Sequence, residues 1–241
     1  MKIISLSEGL FTVDSSKEFV PFDTNSDDLK NLSPGSLLVE IQPFVVIVKN
    51  DIIVLDTGLG HSSKDGTLQI HHNLIKNGID PANVTKVLVT HLHKDHAGAL
   101  LKEGKPVFKN ATYYINLKEW EYAMEKGLPS YHIFNFDKLS SLSNVVWIEN
   151  GGVLSKNISC MISGGHCPYH TVYWVNDDNE TLFFGGDVAP QLQQMKTRYK
   201  TKYDANPALS MELRNNWWKE GTEKKWKFLF YHDIKHPVVL A

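Results

Sequence analysis

The sequence predicts a layered fold of mixed α/β (α+β) class on three observations. Apolar, β-branched runs of strand length recur through both halves, helical periodicity fills some stretches between them, and polar side chains cluster where apolar runs stop. Strands this short and apolar need helices or a second sheet to cover their faces.

In order along the chain, Ser36–Ile41, Phe44–Val48 and Ile52–Leu55 are β-branched runs separated by Pro43 and by Lys49-Asn50-Asp51, which predicts a meander of strands. Leu68 to Lys76 reads as a helix, with Ile70, Leu74 and Ile75 forming a short apolar stripe that Asn77-Gly78 stops. Asp80-Pro81-Ala82 turns the chain into the strand Lys86-Val87-Leu88-Val89, and a second helix is predicted from Asn116 to Lys126. Val145–Ile148, Ile158–Ile162, Val172–Val175 and Leu182–Phe184 read as strands, with Asn176-Asp177-Asp178-Asn179 as a hairpin turn. A third helix is expected from Pro207 to Lys219, before the apolar run Lys227–Phe230. No linker or low-complexity segment divides residues 1–241, which are expected to form one domain near the upper end of the roughly 200–250 residues common for layered folds.

With a formal net charge of −2 and no long basic run, the chain is not expected to bind nucleic acid or an anionic membrane surface. The start, Met1 to Gly9, lacks the apolar core and small-residue cleavage site of a secretory signal, and no apolar run approaches the ~20 residues of a membrane span. A cytoplasmic location is therefore expected. Cys160 and Cys167 make a poor disulfide framework and are expected to stay as thiols.

The densest chemical signal is Thr90-His91-Leu92-His93-Lys94-Asp95-His96-Ala97-Gly98, directly after an apolar strand. Alternate residues of an extended segment share a face, so His91, His93 and Asp95 would project together, with His96 arriving as the chain turns into a helix. A lone histidine reads as a surface or satisfied core residue. Four such side chains converging without an ion would be poorly satisfied. Imidazoles beside a carboxylate suit a borderline-soft divalent ion such as zinc.

This stretch resembles the His-x-His-x-Asp-His signature of the metallo-β-lactamase-fold superfamily, and four further segments fall in the superfamily's order. They are Ile52-Ile53-Val54-Leu55-Asp56-Thr57-Gly58, Ser163-Gly164-Gly165-His166-Cys167-Pro168-Tyr169-His170, Thr181-Leu182-Phe183-Phe184-Gly185-Gly186-Asp187 and Lys227-Phe228-Leu229-Phe230-Tyr231-His232-Asp233. The resemblance implies a four-layer αβ/βα sandwich, two sheets covered by helices, with the site along one edge between the sheets. It also implies that His91, His93 and His166 hold one metal, that Asp95, His96 and His232 hold a second, and that Asp187 bridges them. Two Zn2+ ions are the first expectation, although such ligands also accept iron, manganese or cobalt.

The activity so implied is a metal-dependent hydrolase in which a metal-bound hydroxide attacks a small ester-like bond. Asp95 would orient the nucleophile and pass a proton to the leaving group, and Asp56 would fix a ligand histidine from behind. A bridging Asp187 resembles the glyoxalase II-like and lactonase-like branches, not the antibiotic-degrading β-lactamases, and His93 stands where oxygen-reducing flavodiiron relatives carry glutamate. A small-molecule substrate is expected, with a lactone the first choice and a phosphoester or phosphotriester the alternative. A metal-binding protein without catalysis is the competing class. Lactonases of the family place a tyrosine three residues after the bridging aspartate, where this chain has Pro190, so Tyr199 or another tyrosine would have to substitute. A glutathione thioester is disfavoured, since the chain runs only nine residues past His232.

Other residues carry two readings each. Cys167 could act as a thiolate near the metal or sit as a small buried thiol, and His170 could support a ligand or satisfy a backbone group. Lys196 and Arg198 could bind an anionic substrate or be solvated helix charges. His61, His71 and His72 are expected in solvent, and Trp217 and Trp218 in helix packing. Trp120 and Tyr131-His132 could line a pocket.

Overall fold

A computed structural model of the chain describes residues 1–134 and 136–241. Along the sequence run β1 (Lys2–Ser5), β2 (Gly9–Val13), β3 (Phe19–Pro21), β4 (Leu37–Ile41), β5 (Phe44–Val48), β6 (Asp51–Leu55) and helix α1 (Gln69–Lys76). Next come β7 (Lys86–Leu88), α2 (Lys94–Ala97), the short pair β8 (Leu101–Lys102) and β9 (Lys105–Pro106), β10 (Thr112–Asn116), α3 (Leu117–Lys126) and β11 (Val145–Ile148). The second half continues with β12 (Gly152–Ser155), β13 (Ile158–Ile162), β14 (Thr171–Asp177), β15 (Glu180–Phe184), α4 (Leu192–Lys196), α5 (Pro207–Lys224), β16 (Lys227–Leu229) and β17 (Val238–Leu240).

Two six-stranded sheets carry the fold, in the orders β1-β5-β6-β7-β10-β11 and β12-β13-β14-β15-β16-β17. Side-chain alternation explains how they stack. In β6, Val54 faces the cluster that includes Ile70 and Leu74 of α1 and Ala123 of α3, while Ile53 and Leu55 face the other sheet. In β15, Phe183 faces Trp217 of α5, while Leu182 and Phe184 meet Phe44 and Leu55 across the space between the sheets. Both faces of these central strands are thus buried, which is why they read as continuous apolar runs. The result is helices, sheet, sheet, helices: the four-layer αβ/βα sandwich. Among the described residues no helix is long and apolar enough to cross a membrane.

Four expectations need correcting. Leu37–Ile41 does not continue a meander with β5 and β6 but pairs with β2 in a separate three-stranded sheet, β3-β2-β4. The loop after β14 is tighter than expected: Asn176 pairs with Thr181 and Asp177 with Glu180, leaving Asp178 and Asn179 to turn, with Asp178 at φ 51°. Helix α5 continues past Lys219 to Lys224, because Gly221 lets the helix lie against the Phe228 ring where a Cβ would collide. Finally, Asp95 is not part of the extended segment, since the chain is already helical from Lys94.

Candidate metal centre

Each candidate ligand sits where a strand of one sheet or the other has just ended. His91 and His93 follow β7, Asp95 and His96 lie in α2, His166 lies between β13 and β14, Asp187 follows β15, and His232 follows β16. Strand ends deliver side chains to one edge of the sandwich, where β-ladder hydrogen bonds no longer claim the backbone. The loop from β7 into α2 fits closely against its neighbour. Gly98 is required there, because a Cβ would strike the Leu59 carbonyl.

All seven side chains converge, in two groups of four that share one member. His91, His93, His166 and Asp187 form the first group, and Asp95, His96, Asp187 and His232 the second. In the first, His93 Nδ1 lies 2.9 Å from His91 Nε2 and 3.1 Å from His166 Nε2, and Asp187 Oδ2 lies 3.3 Å from His166 Nε2. In the second, Asp187 Oδ1 is 3.2 Å from His96 Nε2 and 3.1 Å from His232 Nε2, while Asp95 Oδ2 is 3.4 and 3.5 Å from the same two nitrogens. Asp187 therefore turns one oxygen to each group.

Four of the five remaining imidazole nitrogens, those of His91, His96, His166 and His232, are held from behind. Asp56 Oδ2 lies 2.8 Å from His96 Nδ1 and accepts the Thr90 hydroxyl at 2.8 Å, and Thr90 Oγ1 in turn lies 3.0 Å from His91 Nδ1. His166 Nδ1 faces Asp204 Oδ1 at 3.1 Å, and His232 Nδ1 faces the Glu40 carbonyl at 2.7 Å. An acceptor behind Nδ1 favours the tautomer whose Nε2 lone pair is free, which is what a metal ligand requires. Asp56 thus stands behind His96 and, through Thr90, behind His91.

Electrostatics point to a cation. Burial works against charge on His96, yet the carboxylates of Asp187 and Asp95 outweigh it and hold this imidazole well above its usual value. Burial also opposes the charge of Asp187, but His96, His232 and His166 hold it well below the ordinary carboxylate range. His91 is held well below its usual value, first by burial and then by the neighbouring imidazoles, and so is neutral. Among the described residues, His96 Nε2 and Asp187 Oδ1 are buried without a hydrogen-bond partner. Two orphaned donor atoms facing each other inside a ring of imidazoles fit a divalent ion.

The residues with two readings separate clearly. Cys167 is a buried thiol donating to Glu119 Oε2 at 3.3 Å, and burial with that carboxylate holds it well above the usual thiol value, so it stays protonated. His170 is wholly buried, and its Nε2 accepts the Asp187 backbone N–H at 3.2 Å, which seats the shared carboxylate. Lys196 and Arg198 are exposed, Lys196 lying 5.2 Å over the Trp218 ring. Trp217 packs on Phe183 and Trp218 on Phe228. Trp120 packs on Trp147 and donates to the Phe136 carbonyl. His132, by contrast, lines a cleft of about 260 Å3 with Lys94, Phe134 and Phe136. His61 is exposed, His72 bonds Ser63, and His71 is half-buried beside Phe108, so none of the three joins the donors.

Tyr199 does not replace the family tyrosine, since it is exposed and meets Arg214 only through its carbonyl. Pro190 instead braces the site by accepting the His232 backbone N–H at 3.0 Å. Tyr131, with its ring centroid 4.7 Å from that of His93, and Tyr203, 6.0 Å from that of His166, are the tyrosines beside the first group. Asp204, Glu119 and Glu8 were not signalled by any motif. Their roles depend on contacts with residues far away in sequence.

Fold and donor geometry together define a four-layer sandwich with a cluster of candidate metal donors along one edge. The family model of the metallo-beta-lactamase superfamily matches residues 39–226, and the chain belongs to that superfamily. An N-acyl homoserine lactonase, AttM, of Agrobacterium fabrum is 30% identical over 127 residues, 50% of this chain and 38% of that protein. A probable metallo-hydrolase of Methanocaldococcus jannaschii is 38% identical over 68 residues, 28% of this chain and 29% of that protein. The chain thus aligns with well under half the length of these relatives. Among solved structures, a probable metal-dependent hydrolase from Staphylococcus aureus superposes with a TM-score of 0.79 at 22% identity, covering 99% of this chain and 91% of that one. AidC, a dizinc quorum-quenching lactonase in complex with a product, superposes at 0.73 with 17% identity, covering 99% and 89%.

Proposed function

We propose that this protein is a dinuclear metal-dependent hydrolase, zinc being the first choice of metal, that cleaves a small ester-like bond and most readily a lactone. The observation that carries this reading is the shared carboxylate: Asp187 offers a separate oxygen to each of two buried groups of donors. The chemistry that two bound ions would supply here is acidification of a water towards a pKa of about 7 and polarisation of the oxygen of the bond under attack. His91, His93 and His166 would hold one ion, and Asp95, His96 and His232 the other.

The protein's own part is orientation and proton handling. Asp95 directs Oδ2 at His96 and His232, which leaves Oδ1 as the atom to take a proton from the attacking water and deliver it to the leaving oxygen. Burial of six of the seven donor side chains, all but His93, keeps bulk water from competing for their lone pairs. The lactone preference is supported by the partial likeness to AttM, and a cytoplasmic setting belongs to the same proposal.

The test is hydrolysis of homoserine lactones, an aryl ester, a phosphotriester, a thioester and a β-lactam by zinc-replete protein, with Asp95→Ala as control. Lactone turnover that disappears in the variant supports the reading. Full metal occupancy with no turnover of any of these bonds, or turnover unchanged in Asp95→Ala, would overturn it.

A further inference from the structure

Glu119 belongs to neither group of donors, yet it lies where the loops that bear the first group meet. Asn116 caps α3 by accepting the Glu119 backbone N–H at 3.1 Å, which fixes Glu119 in the first turn. Its side chain then turns inward and is only 1% exposed, an unusual position for a glutamate. Oε1 accepts the backbone N–H of Leu92 at 3.1 Å, and Leu92 stands between His91 and His93. Oε2 accepts the thiol of Cys167 at 3.3 Å, and Cys167 directly follows His166. The ring of Tyr131 packs on His93, with centroids 4.7 Å apart.

We propose that Glu119 is the positioning residue of the His91, His93 and His166 group, a single carboxylate that sets the distance between the two loops. The inference rests on the dinuclear reading above. A buried carboxylate is costly unless its oxygens are engaged, and here each oxygen holds a different ligand-bearing loop. The second group is supported elsewhere: His96 by Asp56, His232 by the Glu40 carbonyl, and the Asp95 carbonyl by the Tyr231 hydroxyl at 2.5 Å. Glu119 touches none of these. Its loss should therefore separate two metal positions that Asp187 otherwise couples.

The experiment is calorimetric titration of zinc into metal-free wild-type protein, Glu119→Ala, Glu119→Gln and Cys167→Val, with circular dichroism as a check on folding. Wild type should bind two equivalents. Glu119→Ala should keep one and bind the other about 10- to 100-fold more weakly, the range typical for groups that orient metal ligands. Adding His232→Ala should abolish the retained equivalent, whereas adding His93→Ala should leave it. Glu119→Gln keeps an oxygen for the Leu92 N–H and should recover part of the lost affinity, and it replaces Glu119→Ala as the deciding variant if the latter fails to fold. Cys167→Val, which leaves Oε2 unpaired, should weaken the same position. Two equivalents bound with unchanged affinity in a folded Glu119 variant, or equal weakening of both, would overturn the proposal. Wild type binding no zinc would instead defeat the dinuclear reading itself, and this inference with it.

Discussion

Asp56 and His96 are locked together: Oδ2 of one lies 2.8 Å from Nδ1 of the other, both side chains are fully buried, and the Asp56 backbone takes φ 55°. That left-handed conformation is unfavourable for a residue with a Cβ, and aspartate tolerates it better than most. It persists here because the same carboxylate also accepts the Thr90 backbone N–H and hydroxyl, each at 2.8 Å. Asp56→Asn keeps the shape and the tolerance of positive φ but removes the charge behind His96. Zinc affinity at the second group should fall about 10- to 100-fold. Titration showing unchanged affinity would mean that Asp56 only supports the backbone.

Asp187→Ala removes the one side chain common to both groups. Zinc stoichiometry should drop below two equivalents, and hydrolysis of whichever bond the wild type cleaves should fall to background. Elemental analysis after dialysis reads the first outcome, and retention of two tightly held ions would show that the groups are independent.

Metal removal should also destabilise the fold, because the native state alone assembles the donors. A ligand present at about 100 times its Kd stabilises by about 2.7 kcal/mol, which for a chain of this length corresponds to roughly 5–10 °C in melting temperature. Differential scanning calorimetry with and without a chelator measures this. Identical melting curves would argue against tight binding in the native state.

Glu8 should give a pH dependence of its own. Burial is the main cause that raises its carboxyl to about 7, with the nearby charge of Asp95 adding to it and the Leu59 N–H opposing. Oε1 is buried without a partner among the described residues. Because the folded value lies above the ordinary 4.5, the folded state holds its proton longer than the unfolded chain does. Stability from this group is therefore greatest below pH 4.5 and is lost as the pH rises to about 7, by on the order of 3 kcal/mol. In metal-free protein, Glu8→Gln should become more stable relative to wild type between pH 5 and pH 8. Urea midpoints that shift in parallel for both proteins would count against it.

The converging His and Asp side chains were legible in the sequence because each follows an apolar run, where strand periodicity breaks off. The two main sheets were legible for a related reason, since strands buried on both faces show as continuous β-branched or aromatic runs. Val39 and Ile41 misled because their alternation fits any sheet, and only the register with Gly9–Val13 decides which. The end of α5 was set too early at Lys219, because only the approach of Gly221 to Phe228 shows why the helix tolerates a residue of low helix propensity there. Asp95 was placed on the wrong element by strand periodicity, yet the first turn of α2 still delivers it to the donors. Glu119 and Asp204 left no local trace, because what matters about each is a partner far along the chain: Leu92 and Cys167 for one, His166 for the other.

The donors come from both sheets, His91 from the end of β7 and His232 from the end of β16, with Asp187 between them. Bound ions would therefore act as removable cross-links between the two halves of the sandwich, linking segments that are far apart in sequence. Opening of one sheet from the other would then be limited by metal release, so the availability of metal would set how long the protein survives a protease as well as whether it turns over substrate.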